Sequence, residues 1–342
     1  MKEAKYYEKI ENQKVRCILC PRYCIIEPSK SGFCGVRRNI DGELYTLVYG
    51  RVVARHVDPI EKKPLYHFLP GSRAYSIATV GCNLACKFCQ NYEISQYPRE
   101  GRGVVGEKFY PEDLVNEAKQ LECEVIAYTY TEPTIFYELA LDTAKLAHKE
   151  GIKNVFVTNG YINEEPLREI AKYLDAVNVD LKSMRDEFYW EVCSAHLAPV
   201  LKSIKNYRKY GVWIEITTLV IPGYNDSKEE LTRIAKFIKE IGDEVPWHVS
   251  AFYPHYKFLH VPRTPVDTLR MAYDIGREIG LRYVYEGNVG EGEDTYCYNC
   301  GKLLVRRYYH SVLENRIVRG SRCYNCGAII DGIGMDWHAT ES

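Results

Sequence analysis

The chain has 342 residues, 46% of them hydrophobic, with 45 Lys and Arg against 46 Asp and Glu. That length suits one large α/β domain with appendages or two domains, and the apolar content excludes a disordered chain. The balanced charge excludes a dedicated nucleic-acid binder, apart from a local basic stretch at Arg316–Arg322, and no apolar run reaches the 18 residues of a membrane span.

The N-terminus, MKEAKYYEKIENQKVRC, is charged and lacks the apolar core of a signal peptide, so a cytoplasmic location is expected. Residues 1–72 read as an irregular, cysteine-rich extension. Within it, the alternation in ELYTLVYGRVVARHV (43–57) predicts a β-hairpin or paired strands. The segment DPIEKKPLYHFLPGS, with three prolines, predicts a loop. Its Glu61, Lys62, Lys63 and His67 are candidates to line an active-site mouth; the plainer reading is a solvated, charged loop.

From residue 74 the pattern becomes strand, loop, helix, repeated. Strands are predicted at 74–80, 124–129, 154–158, 176–181, 213–220, 248–252 and 282–287, with amphipathic helices between them. PEDLVNEAKQL opens with proline in its first turn, and TIFYELALDTAKLAHKEG ends at Gly151. Alternating β and α units imply a parallel sheet with right-handed crossovers. Six or seven units predict a full or partial (β/α) barrel over residues 73–290. Residues 291–342 break the alternation and predict a small C-terminal metal-binding module.

Thirteen cysteines in a cytoplasmic chain call for metal rather than disulfides. Eleven fall into three groups: Cys17, Cys20, Cys24 and Cys34; Cys82, Cys86 and Cys89; and Cys297, Cys300, Cys323 and Cys326. The middle group follows the first barrel strand with C-x3-C-x2-C spacing and no fourth cysteine nearby in sequence. Three thiolates on a [4Fe–4S] cube leave one iron open, and an open position marks a catalytic site. The alternative is a zinc knuckle that borrows a distant ligand. The C-terminal pairs, C297-x2-C300 and C323-x2-C326, suit tetrahedral zinc or a single rubredoxin-like iron. The N-terminal four suit zinc first and a second iron–sulfur cluster next. Cys123 reads as a small buried hydrophobe and Cys193 as a core or surface thiol, with a reactive thiol near the mouth as its other reading.

GCNLACKFCQN resembles the loop of the radical S-adenosylmethionine (SAM) superfamily, in particular the pyruvate formate-lyase activating enzyme branch. The resemblance implies that SAM chelates the open iron and is reductively cleaved to a 5′-deoxyadenosyl radical that abstracts hydrogen. Further matches fall at successive strand ends. Tyr130-Thr131-Glu132-Pro133 stands where the family has Gly-Gly-Glu-Pro. Thr158-Asn159-Gly160 is similar to the activase Asp-Thr-Asn-Gly, with Val157 at the Asp position. Asp180 and Lys182 match a pair near the cofactor, Val220 an adenosine-side contact, and His255 a residue after the sixth strand. The resemblance therefore implies cofactor contacts at Thr131, Glu132, Thr158, Asn159, Asp180, Lys182, Val220 and His255. Each also has a plain reading as a turn, a cap or a backbone-bonding group.

The whole-chain pattern, CxLCPRYC, GFCGVRRN, DPIEKKPLYHF and the paired C-terminal knuckles, resembles the AmmeMemoRadiSam system radical enzymes. That implies AMMECR-family and Memo-family partners and an electron donor such as ferredoxin or flavodoxin. The activity expected is hydrogen abstraction from a protein or peptide. The alternatives are radical modification of a small molecule or nucleotide, and a non-catalytic iron–sulfur or zinc scaffold.

Overall fold

A computed structural model describes residues 1–337; positions 338–342, the tail of the expected C-terminal module, lie outside the described residues. The core is one eight-stranded sheet. Its strands are β1 (Ala54–Pro59), β2 (Arg73–Ala78), β3 (Val125–Tyr128), β4 (Lys153–Thr158), β5 (Ala176–Asp180), β6 (Trp213–Val220), β7 (Trp247–Ala251) and β8 (Val284–Gly287). They lie side by side in chain order. β2 to β8 are parallel, whereas β1 runs antiparallel to β2. β3 is a run of Val, Ile, Ala and Tyr, and β3, β5 and β7 are buried nearly throughout, as a parallel sheet covered on both faces requires. Every predicted barrel strand forms. Because β8 and β1 do not pair, the barrel is partial.

Six helices cover the outside: α1 (Pro111–Gln120), α2 (Tyr137–Lys149), α3 (Glu164–Ile170), α4 (Leu197–Lys209), α5 (Lys228–Ile241) and α6 (Val266–Ile279). Local chemistry sets their ends. Pro111 occupies the first turn of α1 while Asp113 Oδ2 accepts from the Tyr110 amide. Ser227 Oγ accepts from the Glu230 amide to start α5.

The predicted hairpin over 43–57 does not form. Glu43–Thr46 pairs with Arg37–Ile40 and Lys2–Glu3, Arg51–Val52 pairs with Glu107–Lys108, and β1 pairs with β2. The alternation was a true strand signal, but Gly50, at φ 71°, sends the chain onward, and each short strand finds a distant partner.

The segment 60–69 is a loop, as its prolines predict, yet it is not solvated. It enters the open side of the barrel and plugs its lower end. Ile60, Leu65 and Phe68 pack against Ala74, Val125, Val155 and Ala176. Asn178 Nδ2 donates to the Pro64 carbonyl at 2.8 Å. Below the plug, Glu215 accepts from the amides of Tyr66 and His67 at 3.0 and 2.7 Å and from Trp213 Nε1 at 3.1 Å, and pairs with His248 Nε2 at 2.7 Å. Although burial works against its charge, these partners hold the Glu215 carboxyl below the usual range.

His67 shares this network as a neutral ring. Nδ1–H donates to the Asp331 carbonyl, and Nε2 accepts from the Tyr285 hydroxyl, both at 2.6 Å. Burial lowers its pKa to about 4. The unfolded chain, with an ordinary imidazole near pH 6.5, therefore takes up a proton that the folded chain refuses. The resulting stability is complete above about pH 6.5 and is lost as pH falls toward 4, in all about 3 kcal/mol. The urea midpoint is expected to fall between pH 7 and pH 5, and His67→Gln should flatten that slope; an unchanged slope in the variant would remove His67 from the explanation.

The C-terminal segment closes the remaining gap. Strands β9 (Leu303–Tyr308) and β10 (Ser311–Asn315) form a hairpin whose core residues Leu304 and Val305 cluster with Tyr66, Tyr283 and Tyr285 of the barrel. Ile333 pairs with Phe68 of the plug. Among the described residues, no helix is long and apolar enough to cross a membrane.

Candidate active site

Cys82, Cys86 and Cys89 lie on the loop between β2 and the single helical turn Tyr92–Ser95, at the C-terminal mouth of the barrel. All three line one cavity of about 470 Å³, within the range of small-molecule and cofactor sites. Hydrogen-bond donors already approach the sulfurs. The Leu84 amide is 3.4 Å from Cys82 Sγ, Asn159 Nδ2 is 3.7 Å from the same atom, and Ser95 Oγ is 3.2 Å from Cys89 Sγ. Burial pushes the Cys82 and Cys89 thiols above their ordinary values. A bound metal would displace those protons, and the donors would then serve the thiolates. Cys193 is fully buried beside Cys86 and is absent from the cavity's lining. Three thiols with no fourth facing the cavity fit a cluster with one open iron.

Thr131, Glu132, Thr158, Asn159, Asp180 and Lys182 line the same cavity. Lys182 Nζ pairs with Asp180 Oδ2 at 2.8 Å and lies 5.5 Å from the Phe88 ring. Tyr130, matched above to a glycine, adopts the left-handed backbone that glycine favours, at φ 60°. Its side chain explains why: the hydroxyl donates to Asp58 Oδ2 at 2.5 Å, and the Lys63 ammonium lies 4.6 Å from its ring. Thr217 Oγ1 is a buried hydroxyl in this wall without a protein partner, as expected where a polar ligand supplies one.

Three expected contacts are placed differently from the rest. Glu132 accepts from Thr134 N, Thr134 Oγ1, Thr158 Oγ1 and Asn159 N, at 2.6–3.0 Å. It ties two strand ends together and has its oxygens occupied by protein donors. Val220 is buried outside the cavity; strand alternation turns Thr217 and Leu219 inward instead. His255 is held 5.5 Å from the Tyr92 ring and does not line the cavity.

The loop candidates divide. Lys62 and Lys63 line the cavity, each bonded to Asp58, at 2.8 and 2.7 Å. Burial brings Lys63 down to about 8, with Asp58 opposing. Glu61 is wholly buried 3.5 Å from Arg307, and His67 lies in the network below the plug. Sequence reasoning missed Ser250, Asn288 and His310. His310 sits at the tip of the β9–β10 hairpin, and its buried Nδ1 has no protein partner. No local pattern signals it, because only the tertiary docking of the hairpin carries it to the cavity.

The outer cysteine groups differ from each other. Cys297 and Cys326 are 3.7 Å apart at sulfur, as are Cys300 and Cys323. A tetrahedral ion with bonds of about 2.3 Å sets its sulfurs about 3.8 Å apart, so one ion fits this quartet. Among the described residues, only these four place three or more such ligand atoms within 4.8 Å of one another. The N-terminal four converge instead on a separate buried cavity behind the catalytic loop.

The radical SAM superfamily model matches residues 76–238. An uncharacterised protein of Methanocaldococcus jannaschii is 47% identical over 97% of this chain and 99% of its own length. The chain belongs to the radical SAM superfamily. Pyruvate formate-lyase 1-activating enzyme of Escherichia coli is 24% identical over 48% of this radical SAM chain and 67% of its own. Streptococcus suis SuiB, solved with S-adenosylmethionine, shares the fold at a TM-score of 0.51 and 15% identity, covering 67% of this chain and 53% of SuiB. The chain thus spans about half of SuiB. Radical SAM membership makes the protein an enzyme and implies a [4Fe–4S] cluster and SAM.

Proposed function

We propose that this radical SAM enzyme abstracts hydrogen from a protein or peptide substrate, in the manner of an activating enzyme. When bound at Cys82, Cys86 and Cys89, the reduced cluster supplies the electron that splits SAM into methionine and a 5′-deoxyadenosyl radical. The chain's own residues bind and shield. Asp180 and Lys182 present a fixed ion pair to the cofactor's polar groups. Thr131, Asn159 and Thr217 offer hydrogen bonds, and the plug bars water from the lower end.

The observation that carries this reading is the sharing of one cavity by the three open-site cysteines and the polar strand ends. A protein substrate is supported by two named relatives. One is an enzyme that activates pyruvate formate-lyase, and SuiB has been solved bound to the precursor peptide SuiA. AMMECR-family and Memo-family proteins are the first substrates or partners to test, with ferredoxin or flavodoxin as electron donor. We place the enzyme in the reducing cytoplasm and zinc at the C-terminal quartet.

The test is anaerobic incubation of the reconstituted, reduced enzyme with SAM, alone and with each candidate protein. The expected result is 5′-deoxyadenosine, together with a radical or a mass change on a co-incubated protein. Absence of any SAM cleavage removes the enzymatic reading. Modification of a small molecule with every protein untouched replaces the protein-substrate reading.

A further inference from the structure

The N-terminal quartet lies directly behind the catalytic loop. Cys17, Cys20, Cys24 and Cys34 line one cavity together with Arg37 and Asn83, the residue after Cys82. The two cysteine regions touch. A Cβ on Gly81, the residue before Cys82, would meet the Cys34 carbonyl at 3.0 Å and Val36 Cγ1 at 2.8 Å. Arg22 donates to the Asn83 carbonyl. The separation of the sulfurs points away from a single ion. The C-terminal quartet is drawn to the 3.7 Å contacts that one tetrahedral ion requires. The N-terminal quartet, like Cys82, Cys86 and Cys89, contains no set of three sulfurs within 4.8 Å among the described residues. A cube, with each thiolate on a different iron, needs that wider spacing.

The surrounding charge points to an anion of more than one unit. Arg37 is 2% exposed and gives Nη1 to both oxygens of Glu138, at 3.0 and 3.1 Å. Its Nε–H, buried in the wall of this cavity, has no protein partner. Arg22 and Arg99 stack on Phe33, at 3.3 and 4.4 Å from its centroid. Their hydrogen bonds go to backbone carbonyls and to the amide side chain of Gln96, and among the described residues neither forms an ion pair with a carboxylate. Arg99 Nη1 is also buried and unpartnered. Arg22 and Arg99 are half-buried, and guanidinium groups so placed without carboxylates favour a nearby counter-charge. Four thiolates on an iron–sulfur cube, like four on one zinc ion, supply a net dianion, so the charge calls for a metal and the sulfur spacing for the cube. Four neutral thiols would supply none.

We propose that Cys17, Cys20, Cys24 and Cys34 hold a second [4Fe–4S] cluster, coordinatively closed, as a one-electron store behind the catalytic loop. It takes no exogenous ligand, because all four irons have protein thiolates.

The test uses the full chain, reconstituted anaerobically with ferrous iron and sulfide. C82A/C86A/C89A is expected to keep about four acid-labile sulfides per chain and a reducible cluster signal by electron paramagnetic resonance. Adding C20S and C24S should remove both, while C300S/C326S should leave the sulfide count unchanged. Wild-type protein should hold about eight sulfides. A wild-type content of about four sulfides, with zinc bound at the N-terminal cysteines, overturns the second cluster and leaves the radical SAM reading intact. Sulfide retained in the triple variant after C20S and C24S also overturns it. Sulfide counts on the wild type decide the matter if the triple variant does not fold.

Discussion

Replacing any one of Cys82, Cys86 or Cys89 with alanine is expected to reduce 5′-deoxyadenosine formation by at least about a thousandfold, a barrier increase of about 4 kcal/mol. Each thiol faces the cavity, and nothing else in the wall offers a thiolate. The cluster would lose one of the three protein thiolates that would hold it. Cys86 is the most demanding case, because Cys193 lies beside it and offers a substitute sulfur. C193A therefore belongs in the same series. As a buried thiol outside the cavity, it is expected to leave cleavage within about twofold of wild type and to cost stability only modestly. Chromatography of anaerobic turnover mixtures decides both points. Cleavage by C82A or C89A within about tenfold of wild type would remove the cluster from these residues.

The second large effect is structural and lies at Arg307. Its side chain is fully buried, like that of Glu61, 3.5 Å away. It donates to the Tyr66 carbonyl at 2.8 Å, to Thr295 Oγ1 at 2.7 Å and to the Glu293 carbonyl at 3.1 Å. One guanidinium thus joins the plug, the segment after β8 and the C-terminal hairpin. Arg307→Met removes the partner of a buried carboxylate and is expected to lower stability by about 3–5 kcal/mol. E61Q/R307M removes the stranded charge and should recover part of the loss. Urea midpoints with fitted slopes measure both. A loss below about 1 kcal/mol for R307M would mean that the pair contributes no more than a surface contact.

Sequence patterns carried the strands and helices well because both faces of the sheet are buried and the helices are amphipathic. In β3 the apolar run stands without ambiguity. The same patterns misplaced residues 43–57, because alternation identifies a strand but not its partner. Charge likewise misled at 60–67. Glu61, Lys63 and His67 look solvated in sequence, yet the side chain of each is buried against a partner the local pattern does not reveal: Arg307, Asp58 and Tyr285. The catalytic cysteines were legible because their spacing is itself the chemistry. Val220 stands one step of strand alternation from the cavity-lining Thr217 and Leu219, a step that moves a side chain to the opposite face. Nothing in the sequence around His310 distinguishes it from any hairpin tip.

The β9–β10 hairpin also imposes an order on biosynthesis. Its tip walls the same chamber as Cys82, yet its residues leave the ribosome long after the cysteines that hold the cluster. A nascent chain can therefore bind iron before it can enclose a radical. The enclosure needs the hairpin docked through Arg307, beside the quartet Cys297 to Cys326, whose spacing fits one ion. Scarcity of that one ion would then leave iron-loaded but unsealed protein, in which a radical would meet solvent before substrate.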